Sequence, residues 1–426
     1  MKISILSLLA LSLTSCAPKE APPAAAAVPA PTPASASPTL SELVLADMDR
    51  SVDACADFYQ YSCGGWLART ELPSDKPSWT RSFSTIAESN RTFIKGMLEK
   101  AAADPTAGDA DWTRMGNYYG ACMDDAAVEA AGLTALEPWF ARIDGVSDLK
   151  GVMGLAGELQ MLHVTTFFNG EVEGDFLDPR LTILHVMQGG IGLPDRDYYL
   201  KDDADSKQLV ADYESHVARM FELSGQPAED AVAAGKAVVA FEVALATLQL
   251  PKAELRDPTK VYHKIDRAGL DKQVPGLDWA GWLAAMGRPD VTDINVENVD
   301  VLKSVADLMA KTDMSTLQSY MRYRLLADTA SHLPKAFVDE SFDFYGTKVF
   351  GQAENEPRWK RCVRSTDGAM GEVVGRYFIE ERFAGNSKAI AVEMIQGVQD
   401  AFEARLPGLA WMDEETRARA IEKKNT

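Results

Sequence analysis

Histidine, cysteine and carboxylate side chains are where hydrolytic or redox chemistry would begin, and their spacing limits what this sequence can do. The five histidines are His163, His185, His216, His263 and His332. No two of them stand four residues apart, so no helix carries the His-Glu-x-x-His arrangement that seats zinc beside a general base. Each sits in an ordinary apolar or polar context, and no metal site is written here. The phosphate-cradling Gly-x-x-x-x-Gly-Lys, the dinucleotide Gly-x-Gly-x-x-Gly and the nucleophile turn Gly-x-Ser-x-Gly are missing as well. Acidic pairs such as Asp124-Asp125 and Glu380-Glu381 are common on helix surfaces and assign no acid/base role by themselves.

The cysteines carry more information. Four of the five are Cys55, Cys63, Cys122 and Cys362. Cys55 and Cys63 are eight residues apart, which on a helix is about 12 Å of rise, too far for a direct bridge. Their partners are expected elsewhere in the fold. Four thiols allow three connectivities, and residue spacing does not choose among them.

The fifth, Cys16, explains why oxidation is expected at all. Lys2 is followed by the apolar stretch Ile3 to Leu13, long enough for the core of an export signal and too short to span a bilayer. Leu13-Thr14-Ser15-Cys16 resembles a bacterial lipobox, so residues 1–16 are expected to be a lipoprotein signal peptide with the Cys16 thiol lipidated. Acyl chains at that position anchor a protein to the membrane without crossing it. Ala17, in place of Asp, points to the outer rather than the inner membrane of a bacterial cell envelope. Residues 17–40 are rich in Ala and Pro, too poor in apolar bulk to fold, and read as a disordered tether. The folded body is expected over 41–426.

The body has material for a real core. A length of 426 residues corresponds to two or three domains, with 46% hydrophobic and 25% charged residues and a mean hydropathy of −0.15. Forty-three Lys and Arg against 63 Asp and Glu leave a net charge of −20, which repels phosphate backbones, so nucleic acid is not an expected partner. Apolar residues recur at spacings of three and four over Phe93 to Ala103, Trp112 to Asp125, Val210 to Leu223, Ala231 to Gln249, Ser304 to Leu326 and Ile390 to Arg405. These predict helices with one buried face. In the last, Ala391, Met394/Ile395, Val398 and Ala401/Phe402 form a stripe expected to lie in the core. Val164 to Phe168 and Leu181 to Met187 read as strands of one hairpin, the first ending at Asn169-Gly170. The fold class expected is mainly α.

Motifs then accumulate in order along the chain. Met48-Asp49 precedes Cys55-Ala56-Asp57-Phe58-Tyr59-Gln60-Tyr61-Ser62-Cys63-Gly64-Gly65-Trp66-Leu67. Tyr118-Tyr119-Gly120-Ala121-Cys122-Met123, Gly192-Leu193-Pro194-Asp195-Arg196-Asp197-Tyr198-Tyr199 and Arg256-Asp257-Pro258 with Tyr262 follow. Trp359-Lys360-Arg361-Cys362-Val363, Ser387-Lys388 and Trp411-Met412-Asp413 with Thr416 and Ala420 complete the series. From Met48 to Lys423 the chain resembles the N-terminal portion of the neprilysin and endothelin-converting-enzyme family of zinc metallopeptidases.

That resemblance implies a multi-helical cap domain together with the N-terminal part of a thermolysin-like α+β domain. It implies small peptides as substrates, cleaved on the amino side of hydrophobic residues, and zinc as the cofactor of the full-length parent. In the family, the His-Glu-x-x-His segment, the third glutamate ligand and a substrate-aligning Asn-Ala pair follow the counterpart of Trp411-Met412-Asp413. No catalytic or metal-ligating residue is therefore carried onto this chain, which is expected to bind no zinc and to be inactive alone. By the same resemblance Cys122 pairs with Cys362, whereas Cys55 and Cys63 pair with cysteines of the part that is missing. Phe83 matches a phenylalanine at the edge of the primary specificity pocket. Two arginines that grip a peptide's carboxylate in the family correspond to Trp79 and Ala87 here, with Arg81 the nearest cation. The competing class is a helical lipoprotein that holds peptides or docks on a partner without catalysis.

Overall fold

A computed structural model describes residues 39–81 and 83–425. The expected signal segment with Cys16, and nearly all of the tether, lie outside the described residues. The chain divides into two compact units, one ending at Glu71 and the other beginning at Leu72.

Within the described part of the first unit are two helices, Leu40–Asp47 and Phe58–Arg69. The first starts at Thr39, whose hydroxyl accepts from the Glu42 amide while the Glu42 carboxylate returns the bond to the Thr39 amide. The second starts at Asp57, which accepts from the Gln60 amide. Gly65 lets the two pack: a Cβ there would lie 2.7 Å from the Ala46 and Met48 carbonyl oxygens. Cys55 precedes the second helix, and Cys63 is inside it; both are free thiols among the described residues.

In the second unit two apolar cores form on different schedules along the chain. The smaller comes from helices Phe83–Ala103, Ala110–Met123 and Arg358–Arg382. Met97, Leu98, Ala101, Met115, Tyr119, Cys362, Val363 and Val374 fill it. The first two helices cross closely because Gly116 has no side chain; a Cβ would meet the Ala101 carbonyl oxygen at 2.3 Å. The third helix arrives after more than 230 intervening residues and bends at Met370, whose φ of −140° is not helical. Gly368 and Gly371 flank that bend, and glycines hold a helix straight less well than other residues.

The larger core occupies the intervening residues. Helices Leu149–Gln160, Ala204–Leu223, Ala228–Leu248, Val299–Lys311 and Met314–Thr329 pack with a four-stranded sheet of order β1-β2-β4-β3, where β1 is Phe168–Gly174, β2 Thr182–Gln188, β3 Lys264–Asp266 and β4 Asp293–Val296. β1 and β2 are antiparallel with Val172 opposite Leu184, β2 and β4 parallel with Val186 opposite Val296, and β3 and β4 antiparallel. Trp279, Trp282, Phe167, Tyr320 and Phe221 are fully enclosed in this core.

Helix Ala228–Leu248 is long and apolar enough to cross a bilayer by length and composition. Its role here is set by Glu242, a fully buried carboxylate at the centre of that helix. Glu242 accepts from the hydroxyls of Tyr199 at 2.5 Å and Tyr213 at 3.0 Å and from the Gly192 amide at 2.9 Å. Burial raises its pKa against those bonds and the more distant charge of Arg324. The carboxylate thus ties the Gly192–Tyr199 motif to two helices.

Several sequence expectations need correction. The hairpin exists, but its first strand begins at Phe168, where the expected strand ended, and runs through Asn169-Gly170. Val164 and Phe167 are buried in an irregular segment instead, and the Asn169 side chain is bonded to Gln160 and Glu171 rather than closing a turn. Ser304 to Leu326 is two helices, broken where Thr312 leaves the helical region at ψ 136°. The Ile390 to Arg405 stripe lies on helix Ser387–Arg405, which has no buried residue; Met394 and Val398 are 65% and 66% exposed.

Replacing Glu242 with Ala takes the acceptor from the buried Tyr199 and Tyr213 hydroxyls, while the Gly192 amide keeps the Tyr199 oxygen at 3.0 Å. Each lost partner costs about 1–3 kcal/mol, so Glu242→Ala should lower the unfolding free energy in urea by at least about 2 kcal/mol. A change below about 1 kcal/mol would show that the cluster is not what joins these elements.

Candidate functional site

The groove between helices Phe83–Ala103 and Arg358–Arg382 has a volume of about 390 Å³. Ala87, Asn90, Arg91 and Ile94 line one wall, and Val363, Arg364, Asp367, Val374 and Phe378 the other. Positions 87, 90/91 and 94 recur at the three-and-four spacing of one helix face. Phe83 continues that row by one turn and is 81% exposed. It is an uncovered aromatic at the helix start and not part of either core. Arg81 lies two residues before it, also at the surface. Ala87, at one of the two positions where the family resemblance places an arginine, lines the groove; Trp79 does not.

The walls are held at their spacing by charge. Glu356, just before the second helix, is buried and paired with Lys76 and Arg364, and Arg91 stands 3.7 Å away. Lys360 donates to Asp75 at 2.7 Å and to Glu88 at 2.9 Å, and Glu88 in turn accepts from Arg91 at 2.9 Å. Burial would raise the Glu356 carboxyl, but Lys76 and Arg364 hold it below the usual range. Burial likewise opposes ionisation of Asp75 and Lys360, and their mutual bond prevails: Asp75 is lowered and Lys360 raised. The Ser74 hydroxyl adds a 2.7 Å bond to Glu354.

A covalent tie supplements the ionic one. Cys122 and Cys362 form a disulfide across 240 residues, with 5.7 Å between the Cα atoms. Next to it Arg358 donates to the Cys122 carbonyl oxygen at 2.7 Å and pairs with Asp125.

The charge network was missed from sequence. Glu356, Lys360 and Arg364 recur at intervals of four, which was the available signal, but Asp75, Lys76 and Glu88 are some 270 to 285 residues away. The histidines are dispersed. His185 bonds Asn295, His216 bonds Glu340, His263 faces the Val296 carbonyl oxygen, and His163 lines a separate cavity by β1. Among the described residues no three His, Cys, Asp or Glu side chains come together in a way that could hold a metal ion. Zinc therefore does not fit the residues described, and no catalytic step is assigned to them.

The comparisons with known proteins place the sequence and its fold in one class. The N-terminal model of Peptidase family M13 matches residues 54–426. Endothelin-converting enzyme 1 of Mus musculus is 33% identical over 401 residues, covering 90% of this chain and 51% of that protein. Neprilysin-3 of Drosophila melanogaster is 29% identical over 407 residues, covering 90% and 51%. The crystal structure of Mycobacterium tuberculosis zinc metalloprotease Zmp1 in complex with an inhibitor superposes with a TM-score of 0.83 at 31% identity, covering 89% of this chain and 57% of that one. The fold is shared also with PepO of Lactobacillus rhamnosis, TM-score 0.76 at 18% identity. The chain belongs to peptidase family M13, and it spans about half the length of the curated relatives it matches.

Two measurements probe the tie between the helices. Replacing Cys122 and Cys362 together with Ser should cost about 2–5 kcal/mol in denaturant unfolding. Because folding lowers the Glu356 and Asp75 pKa values, their contribution is complete above the ordinary carboxylate range and is lost as pH falls through and below it. Glu356→Gln should flatten the loss of stability measured between about pH 5 and pH 3; an unchanged slope would contradict the network's role.

Proposed function

We propose that this chain is the capping and framing half of a lipid-anchored zinc endopeptidase of the bacterial cell envelope, acting on small peptides on the amino side of hydrophobic residues. Family membership supports the peptidase class. The observation that carries the division into two halves is the uncovered apolar face of helix Ser387–Arg405, where Ile390, Val392, Met394, Ile395, Val398 and Phe402 are exposed, with Trp411 beyond. An exposed apolar stripe of this length is a buried surface lacking its cover. The relatives are about twice as long as the matched region, and the cover we assign is the catalytic polypeptide that their extra length represents.

In this reading zinc, held by residues of that other half, supplies the Lewis acid and the activated water. The residues of this chain bind and orient the peptide. Phe83 offers an apolar wall to the side chain following the scissile bond, and the groove beside it receives the rest. Ala87 in place of a guanidinium removes the group that would select a free terminal carboxylate, so internal peptide bonds are the expected targets. The large helical lobe restricts entry to small peptides. Cys55 and Cys63 would be oxidised with cysteines of the same missing half, and Cys16 would carry the lipid. By itself the chain would be inactive.

The non-catalytic alternative, a helical lipoprotein that holds peptides or docks on a partner, makes a different demand on the same face: a peptide holder that stands alone would have it covered, and a docking module would offer it to a separate partner.

Purified chain should contain far less than one zinc per molecule by elemental analysis and should show no zinc-dependent turnover of a fluorogenic peptide. Stoichiometric zinc with zinc-dependent cleavage would overturn the division of labour proposed. It should also bind a hydrophobic dye and self-associate, and Met394→Glu with Val398→Glu should suppress both. In a protein that includes the catalytic half, Phe83→Ala should raise KM about tenfold for peptides with a large apolar residue after the scissile bond, leaving kcat nearly unchanged. Ala87→Arg should favour free-acid over amidated peptides.

A further inference from the structure

A small cavity of about 160 Å³ lies against the Cys122–Cys362 disulfide, on the flank of helix Arg358–Arg382. Three guanidinium groups, Arg358, Arg361 and Arg364, line it together with His332, Ser331 and Ser365. Spacing of three along the helix brings the arginines to one side, and the short turn Ala330–His332 closes the other.

Two of the three arginines are neutralised within the chain. Arg358 pairs with Asp125, and Arg364 with Glu356. Arg361 is different: its Nε is buried and has no hydrogen-bond partner. Burial lowers its pKa, and so does repulsion from Arg358 and Arg364, while Asp125 and Asp339 pull the other way more weakly. His332 is lowered in the same way, by its packing and by Arg361 and Arg358. A half-buried cation beside two others, with a donor left over, is a costly arrangement without a counter-charge. The remaining polar groups are donors of suitable type: the hydroxyls of Ser331 and Ser365, the latter bonded to Tyr118 at 2.9 Å.

We propose that this cavity is a binding site for a small tetrahedral oxyanion of the phosphate or sulfate type, held principally by Arg361. Guanidinium forks match the oxygen spacing of such anions and form charge-assisted bonds to them. The volume of about 160 Å³ admits such an anion. Because the anion rests on Cys122, Arg358 and Ser365 at once, it joins helix Ala110–Met123 to helix Arg358–Arg382 beside the disulfide and stabilises that junction when bound. The site shares Arg364 with one wall of the groove but uses neither Phe83 nor a metal, so it stands or falls separately from the peptidase reading.

Isothermal titration of the full chain with inorganic phosphate, and separately with sulfate, at constant ionic strength tests this. One saturable site per chain is expected, with a rise in Tm at saturating anion. Arg361→Gln should weaken binding tenfold or more and leave the Tm of the anion-free chain unchanged or higher, because a repelled charge has been removed. Arg364→Gln, at an exposed position, should weaken binding by a smaller factor and gives the same information if the first variant fails to fold. Arg219→Gln, at an exposed arginine that pairs with Glu222 and does not line the cavity, should bind as the parent does. Absence of saturation, undiminished affinity in both cavity variants, or acetate binding as tightly as phosphate would each overturn the assignment.

Discussion

The return of the chain onto its own beginning is the constraint on which everything else rests. Helix Arg358–Arg382 must find helices Phe83–Ala103 and Ala110–Met123 after the whole helical lobe has been inserted between them. Closing a loop of that length costs conformational entropy that grows only slowly with the number of residues. The same logic makes a cross-link spanning it worth about 5 kcal/mol in the chain-entropy account. The Cys122–Cys362 bridge supplies that link, and the Glu356 and Lys360 ion pairs fix the angle at which the returning helix lies. A buried carboxylate among three cations is destabilised more by losing a partner than it was stabilised by gaining one. This makes the junction specific: another register would strand Glu356.

The junction also brings the proposed peptide groove and a packed core to one place. Its inner side is the small apolar core around Leu98, Met115 and Val363, and its outer side is the groove with Ala87 and Ile94. The bend at Met370 redirects the returning helix past the groove. The lobe between the flanks has its own core and its own buried polar centre at Glu242, so it can be built independently and carried by the junction. Beyond the junction the character of the chain changes. Helices Ser387–Arg405 and Glu414–Lys424 bury none of their side chains, although the first is as apolar along one stripe as helices that lie in the core.

Much of this was legible from residues alone. Helical periodicity located several of the long helices because a buried stripe imposes its spacing whatever the partner is, but it did not pick out Arg358–Arg382, the longest of them. The motif series placed the chain in its family, and the family model later matched residues 54–426. Element ends and the sheet were less legible. β3 and β4 are three and four residues long; β4 owes its existence to pairing with β2, and β3 to pairing with β4, so no local pattern announces them. Asn169-Gly170 looks like a turn from composition, yet Gly170 sits in a strand because the Trp282 ring occupies the place of a side chain; a Cβ there would meet it at 2.7 Å.

The sequence by itself determined the mainly helical class, the family and the identity of the residues able to do chemistry, since these depend on residue type and on spacing within a few turns. Tertiary structure alone decided which of those residues meet. Asp75 reaches Lys360, and Lys76 reaches Glu356, across some 280 residues of chain, and only the closed fold sets such distances. It also decided that Phe83 stands exposed beside a groove and that Arg361, with its Nε unpartnered, lines a cavity. The stripe on Ser387–Arg405 marks the boundary between the two kinds of knowledge. Periodicity dictates that a helix has an apolar face, but whether that face is covered depends on what polypeptide is present to cover it.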